Sequence, residues 1–162
     1  MTIRPAGDAD WPAIWPIFDT VCQEQETYAF PTDLTVESAR GWWMEQPPGL
    51  TVVMESDGAV LGTAKMGPNR PGPGDHVGTA SFMVAPEARG RGVGRRLGEY
   101  VVQWHRDQGY GGIQFNAVVE TNRAAVKLWQ DLGFEILGTV PHAFRSPTHG
   151  YVGLHAMYLP LS

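Results

Sequence analysis

The stretch from Val84 to Leu97, Val-Ala-Pro-Glu-Ala-Arg-Gly-Arg-Gly-Val-Gly-Arg-Arg-Leu, constrains the fold of this chain more than any other. An alternating run ends at Val84, Pro86 stops it, glycines follow at positions 90, 92 and 94, and an apolar pattern of helical period starts at Val93. This predicts a strand, a turn of bare backbone and the opening of a helix. Glycine admits positive φ and lets a ligand lie against the main chain, while the first helical turn leaves N–H donors unpaired. Aligned peptide dipoles add partial positive charge at the same point, so the junction suits a phosphate or pyrophosphate. Four of the twelve Lys and Arg residues, Arg89, Arg91, Arg95 and Arg96, gather here in a chain of net charge −5. A glycine-rich surface loop with solvated arginines is the plainer alternative.

Two common phosphate patterns do not fit. A P-loop needs Gly-x-x-x-x-Gly-Lys-Ser/Thr, and no lysine lies between Lys65 and Lys127. A dinucleotide fingerprint needs Gly-x-Gly-x-x-Gly in an early strand-helix unit, whereas the spacing here is Gly-x-Gly-x-Gly at mid-chain. A third pattern, Arg/Gln-x-x-Gly-x-Gly/Ala, fits as Arg89-Gly90-Arg91-Gly92-Val93-Gly94. Further on, Asn122-Arg-Ala-Ala-Val-Lys-Leu-Trp-Gln-Asp-Leu-Gly-Phe134 has the form Asn-x-x-Ala-x-x-Leu-Tyr-x-x-x-Gly-Phe, with Trp129 where that form has Tyr. On these two segments the chain resembles the GNAT superfamily of acetyl-CoA-dependent N-acetyltransferases.

The rest of the chain orders itself around the turn. Thr2 to Pro5 predicts a first strand, and Trp11, Ile14, Trp15, Phe18 and Cys22 share one face of a helix begun at Asp8 or Asp10. A loop over residues 24–31 precedes a helix from Thr35 with Ala39, Trp42 and Trp43 on its buried side, ending before Pro47. Asp57-Gly58 joins Leu50–Glu55 to Ala59–Met66 in a hairpin. His76–Val84 is the strand that feeds the glycine turn, and the helix after it ends at Gly109. Gly112–Val118 is a strand, Asn122 caps a helix closed by Gly133-Phe134, and Phe134–Val140 and Tyr151–Leu159 are the last strands, with residues 141–150 irregular between them. The resemblance implies an α/β (α+β) GNAT fold over residues 1–162, with a mixed, mostly antiparallel sheet of about seven strands and helices on both faces.

Composition narrows the partners. With 18% charged and 43% apolar residues the chain matches ordinary globular domains, and no apolar run approaches the roughly 20 residues that span a bilayer. The N-terminus lacks a basic head followed by an apolar stretch, so a cytoplasmic location is expected and no membrane partner. An acidic pI of 5.4 argues against nucleic acid. The single Cys22 allows no internal disulfide, and no Cys, His and Asp spacing suggests a metal.

The resemblance assigns roles to individual residues. Acetyl-CoA is the implied co-substrate, its pyrophosphate on the backbone of Arg89, Gly90, Arg91, Gly92, Val93 and Gly94, its pantetheine arm on the main chain of Met83 and Val84. Asn122 completes that site or simply caps its helix, two compatible roles. Acyl transfer also needs a neutral amine, and an alkylamine of pKa about 10 is neutral in roughly one molecule per thousand at pH 7. Glu26 is a candidate base, or an exposed loop carboxylate; Glu120, His76 and a relayed water stay open beside it. An indole at Trp129 is too weak an acid to protonate a thiolate, which leaves Tyr28, Tyr151, Tyr158 or solvent. Asn116, polar in the apolar strand Ile113–Val119, is similar to an asparagine that orients the acceptor in members acting on small imino acids such as proline analogues, or is a structural hydrogen bonder. Tyr28, Phe30, His142 and Phe144 are expected to cover the acceptor pocket. Cys22 lies on an apolar helix face, where thiols are inert. Direct acetyl transfer to a small-molecule amine is thus expected, in a possible homodimer; an acyl-CoA-binding module without catalysis and a protein or peptide N-acetyltransferase are the alternatives.

Overall fold

The computed structural model of the chain describes residues 1–161. Strand β1 (Thr2–Pro5) leads into helix α1 (Trp11–Glu24), whose apolar residues recur three and four apart and bury Trp11, Ile14, Ile17, Phe18, Val21 and Cys22. Helix α2 (Val36–Trp43) opens at Thr35, whose Oγ1 accepts the Ser38 N–H, and buries Ala39 and Trp43. Trp42, expected on that buried side, is 44% exposed. Neighbouring helical residues point about 100° apart, so one turn cannot hide both indoles, and Ala39 and Trp43, four apart, take the inner face. Trp42 instead meets Phe30 edge-on at 5.8 Å.

Strands β2 (Leu50–Ser56) and β3 (Ala59–Pro68) form the hairpin, its turn residues Asp57 and Gly58 at φ 51° and 79° as a type I′ turn requires. Then come β4 (Val77–Val84), α3 (Val93–Asp107), β5 (Gly112–Val119), α4 (Arg123–Asp131), β6 (Glu135–Ser146) and β7 (Gly150–Pro160). The sheet runs β1-β2-β3-β4-β5-β7-β6 and is antiparallel throughout except between β4 and β5. The expected mixed, mostly antiparallel architecture is present. Adjacent residues of β3 show helices on both faces: Trp43 of α2 donates its indole N–H to Thr63 Oγ1, while a Cβ on Gly62 would lie 2.8 Å from Val93 of α3.

Residues 141–146 correct the expectation of an irregular segment, because β6 continues through them. Val140 pairs with Leu154 and Phe144 with Val152, so Pro141, His142 and Ala143 form a bulge with His142 at φ 55°. Since β6 is the edge of the sheet, the N–H that proline lacks removes no ladder bond.

Two features of the core position the site. Phe82, Phe115, Trp129 and Phe134 form one aromatic cluster, with Phe82 4.6 Å from Trp129 and Phe115 stacked 4.3 Å from Phe134, so α4 is clamped to β4 and β5. His105 of α3 is fully buried under Gly78, where its Nδ1 meets the Val101 carbonyl at 2.8 Å.

Candidate functional site

Strands β4 and β5 pair only at Val77 with Gly112 and Gly78 with Ile113, and beyond them the sheet opens. A residue of a strand directs both its main-chain groups to one side, alternating along the chain. The Ala85 N–H bonds Leu61 on β3, so Ala85, Met83 and Ser81 serve β3, while Ala80, Phe82 and Val84 direct their N–H and C=O groups into the opening. Tyr28 closes one of these positions: its hydroxyl donates to the Phe82 carbonyl and accepts the Phe82 N–H, both at 2.7 Å. Burial pushes this phenol up to about 12.

The opening is a cleft of about 1040 Å³ that reaches the glycine turn. Gly90 and Gly92 both sit at φ 78°, in the left-handed region that glycine occupies without steric cost. Gly92 is the N-cap of α3 without a side-chain cap, and the first bond along the helix is Arg96 N–H to Gly92 C=O. The N–H groups of Val93, Gly94 and Arg95 are therefore left for an external acceptor. Arg89 is held by a two-pronged pair with Glu24 at 2.7 and 2.9 Å, which ties the turn to the end of α1 and raises the guanidinium pKa. Asn122 caps α4 by accepting the Ala125 N–H at 3.3 Å and also lines the cleft, so both roles expected of it are geometrically open. The Thr121 hydroxyl lines the same wall and is buried without a partner. An anionic, hydrogen-bond-accepting chain such as a diphosphate with an amide arm fits these donors.

A bulge in β5 between Phe115 and Val118 leaves Asn116 exposed. Its Nδ2 donates to Asn69 at 2.6 Å, and its Oδ1 accepts from Asn69 at 3.3 Å and from Gln114 at 3.0 Å. A second cavity of about 570 Å³ meets the cleft at Thr79, Ala80, Ser81 and Asn116. Lys65 lines it: Nζ donates to the Trp42 carbonyl at 2.7 Å, lies 3.7 Å from Glu45, and stands 5.9 and 5.8 Å from the rings of Phe30 and Trp43. Burial lowers the pKa of this ammonium.

Glu26, Tyr28, Met83, Val84, Arg89, Gly90, Gly92, Val93, Gly94, Asn116 and Asn122 all line the cleft. The Glu26 carboxylate accepts the Ser146 hydroxyl at 2.8 and 2.9 Å and so joins the loop after α1 to the β6–β7 turn. Arg91 is exposed outside the lining, and Phe30 stands behind Tyr28, stacked at 5.2 Å. His142 is exposed on the β6 bulge, and Phe144 is buried with Val119 and Val152 in a separate cluster, both apart from the cleft wall. Of the tyrosines, Tyr28 lines the cleft, Tyr151 is 65% exposed on β7, and the Tyr158 hydroxyl lies against Gly112. Glu120 accepts the Gly153 N–H at 2.8 Å. Burial, with a smaller push from Asp19, raises the Cys22 thiol to about 11, which keeps it protonated. Lys65, Asn69, Thr121 and Ser146 had no sequence motif; the one available signal was a charged residue at Lys65 inside an apolar strand.

Comparison with known proteins adds to this geometry. Residues 11–134 match the family model described as "Acetyltransferase (GNAT) family". The chain is 58% identical to a GCN5-related N-acetyltransferase from Kribbella flavida, whose solved structure superposes with a TM-score of 0.95 over 99% of this chain and 97% of that one. A protein of Salmonella typhimurium solved with its cofactor acetyl-CoA is 25% identical, with a TM-score of 0.88 over 100% of this chain and 94% of that one. Over 145 residues, 86% of this chain and 83% of the relative, it is 32% identical to the L-methionine sulfoximine/L-methionine sulfone acetyltransferase of Pseudomonas aeruginosa. Two yeast relatives are longer, and the matches span 46% and 20% of their lengths.

Proposed function

This chain belongs to the acetyltransferase (GNAT) family, and from that premise we propose that it moves the acetyl group of acetyl-CoA directly to the amine of a small amino-acid-like or imino-acid-like acceptor. One observation carries the reading: unpaired amides of the Arg89–Gly94 turn stand at one end of a cleft through the sheet, and a second cavity joins it at Ser81 and Asn116. Acetyl-CoA, when bound, supplies an acyl thioester. Transfer forms a C–N bond and breaks a C–S bond, with one proton leaving nitrogen and one reaching sulfur.

The chain's own groups divide this work. The amides of Val93 and Gly94, with Gly90 and Gly92 clearing the approach, hold the diphosphate, and Asn122 and the Thr121 hydroxyl finish that wall. Val84 offers its N–H and C=O to the pantetheine arm, whereas Met83 turns its main chain to β3 and contributes a buried side chain. Arg91 adds only exposed positive charge near the diphosphate. Asn116, fixed by Asn69 and Gln114, orients the acceptor, and Glu26 accepts its proton through water. Tyr28 and Phe30 wall the acceptor side. His142 and Phe144, which line neither cavity, take no part in this reading. Trp129 packs against Phe82 and can only donate a hydrogen bond, and the Tyr28 proton is held by the Phe82 carbonyl, so sulfur takes its proton from solvent.

The methionine sulfone acetyltransferase relative supports the acceptor class, and the cofactor-bound relative supports the donor. A cytoplasmic setting belongs to the same reading, as does a homodimer, supported by exposed Ile136, Leu137 and Val140 on edge strand β6 and Tyr151 on neighbouring β7. Thiol release from acetyl-CoA across amino and imino acids, with the N-acetyl product identified by mass, tests the activity. Silence across the panel from protein that still binds coenzyme A would leave a binding module in its place.

A further inference from the structure

Lys65 is the charged group on the acceptor side whose position the mechanism leaves unused. It pairs in register with Ser81 across β3 and β4, so the two side chains leave the same face of the sheet. Ser81 borders both cavities, which puts the Lys65 ammonium in the smaller cavity, one cross-strand position from the junction where donor and acceptor meet. The side chain is 22% exposed and the ammonium is caged by two aromatic rings and the Trp42 carbonyl. Of its three N–H donors one is committed to Trp42, and Glu45, 3.7 Å away and itself 40% exposed, forms a water-screened salt bridge too long for a hydrogen bond, so two donors are left for a second carboxylate. Arg70 and Asp75 border the same cavity but are both exposed, so water screens them.

Resting on the acetyl-transfer reading, we propose that Lys65 is the anchor for the acceptor's carboxylate, and that it selects amino and imino acids over amines lacking that group. A partly desolvated ammonium with free donors favours an anionic oxygen over a neutral amide. The two rings and the Trp42 carbonyl hold the ammonium in place, so little further ordering is needed when the carboxylate arrives. Removing the charge should erase the preference for acids, and restoring a cation should bring part of it back.

The test is the ratio of kcat/KM for an acid to that for its own carboxamide, using L-proline, L-phenylalanine and L-methionine sulfone as acid probes. Wild-type protein should favour acids by about tenfold or more. In Lys65→Met the ratio should fall to within about twofold through a higher KM for the acids, and Lys65→Arg should recover part of it. Calorimetry with coenzyme A and a melting curve on each variant establish that the cofactor side is folded. An unaltered ratio in Lys65→Met, or no preference for acids in the wild type, overturns the anchor while the acetyltransferase reading stands. No turnover of any acid or carboxamide by protein that binds coenzyme A overturns both.

Discussion

Replacing Tyr28 by Phe removes one oxygen, and the two hydrogen bonds to Phe82 make its consequence calculable. The hydroxyl occupies both main-chain groups of Phe82 at 2.7 Å, in the place where a strand partner would stand had β5 stayed paired. Each hydrogen bond contributes about 1 kcal/mol net, and a backbone group left unpaired in a dry site costs about 1–3 kcal/mol. Phe82 as a whole is only 9% exposed, but it borders a cleft that water can enter, which favours the lower part of that range. Tyr28→Phe should therefore destabilise the protein by about 2 kcal/mol, or roughly 4–8 °C in Tm for a domain of this size. Urea denaturation and thermal melts followed by circular dichroism measure it. A Tm within about 1 °C of wild type would refute the idea that this hydroxyl holds the edge of β4. Coenzyme A sharpens the test, because a ligand that binds the folded state alone raises its stability. If the pantetheine arm reaches Phe82, the ligand should raise Tm further in Tyr28→Phe than in wild type, and equal shifts would confine the arm to Val84 and beyond.

Other substitutions probe the ground the cleft stands on. In Gly78→Ala the new Cβ would clash with Cδ2 and Nε2 of the rigid His105 ring at the last paired position of β4 and β5, so a loss of about 1–3 kcal/mol is expected in urea denaturation, with an intact Tm counting against that contact. Gly92→Ala has open space around it, yet φ is 78°, so backbone strain of about 1–2 kcal/mol should appear in the free protein, together with weaker coenzyme A binding by calorimetry. Burial holds His105 neutral and lowers its pKa from 6.5, while the unfolded chain binds a proton near that value. Its contribution to stability is complete above 6.5 and is lost as pH falls from there toward the folded value. Denaturation midpoints measured between pH 7.5 and 5 should fall for wild type more steeply than for His105→Gln, and parallel slopes would refute the assignment.

The order of strands and helices was legible because each element carries its own signal. Asp57-Gly58 dictates a hairpin by local backbone preference, and the apolar periodicities of α1 and α3 need no knowledge of what they pack on. The glycine turn was legible for the same reason, since Gly90 and Gly92 are required by their own φ. What stayed hidden depends on partners distant in the chain. Glu26 is 120 residues from Ser146, and Asn116 lies 47 from Asn69, so no local spacing announces either contact. Proline and glycine in residues 141–150 suggested irregular backbone, but an edge strand tolerates a bulge there because one side of its ladder has no partner. Trp42 and Trp43 are equally apolar on paper, and only the direction in which α2 meets Thr63 separates them.

The parallel contact between β4 and β5 explains why the site is where it is. Sheet strands keep their register only while ladder bonds hold them, and here two residue pairs hold while the antiparallel neighbours on either side continue. Twist then drives the two strands apart, and each residue of β4 past Gly78 that points into the gap must find another partner for its amide and carbonyl. Phe82 finds Tyr28, and on the facing strand the side chain of Asn116 is held by that of Asn69. Ala80 and Val84, flanking Phe82 on the same edge, are not bridged in that way, and the amides of Val93 and Gly94 continue the series at the start of α3. The same lack of a strand partner that weakens the sheet at its centre thus sets out a row of backbone donors and acceptors at strand spacing, ending in the unpaired amides that open α3. An extended molecule with amides along its length and a diphosphate at one end can complete that row as a strand would, with its reactive end left beside Ser81, Asn116 and the cavity that holds Lys65.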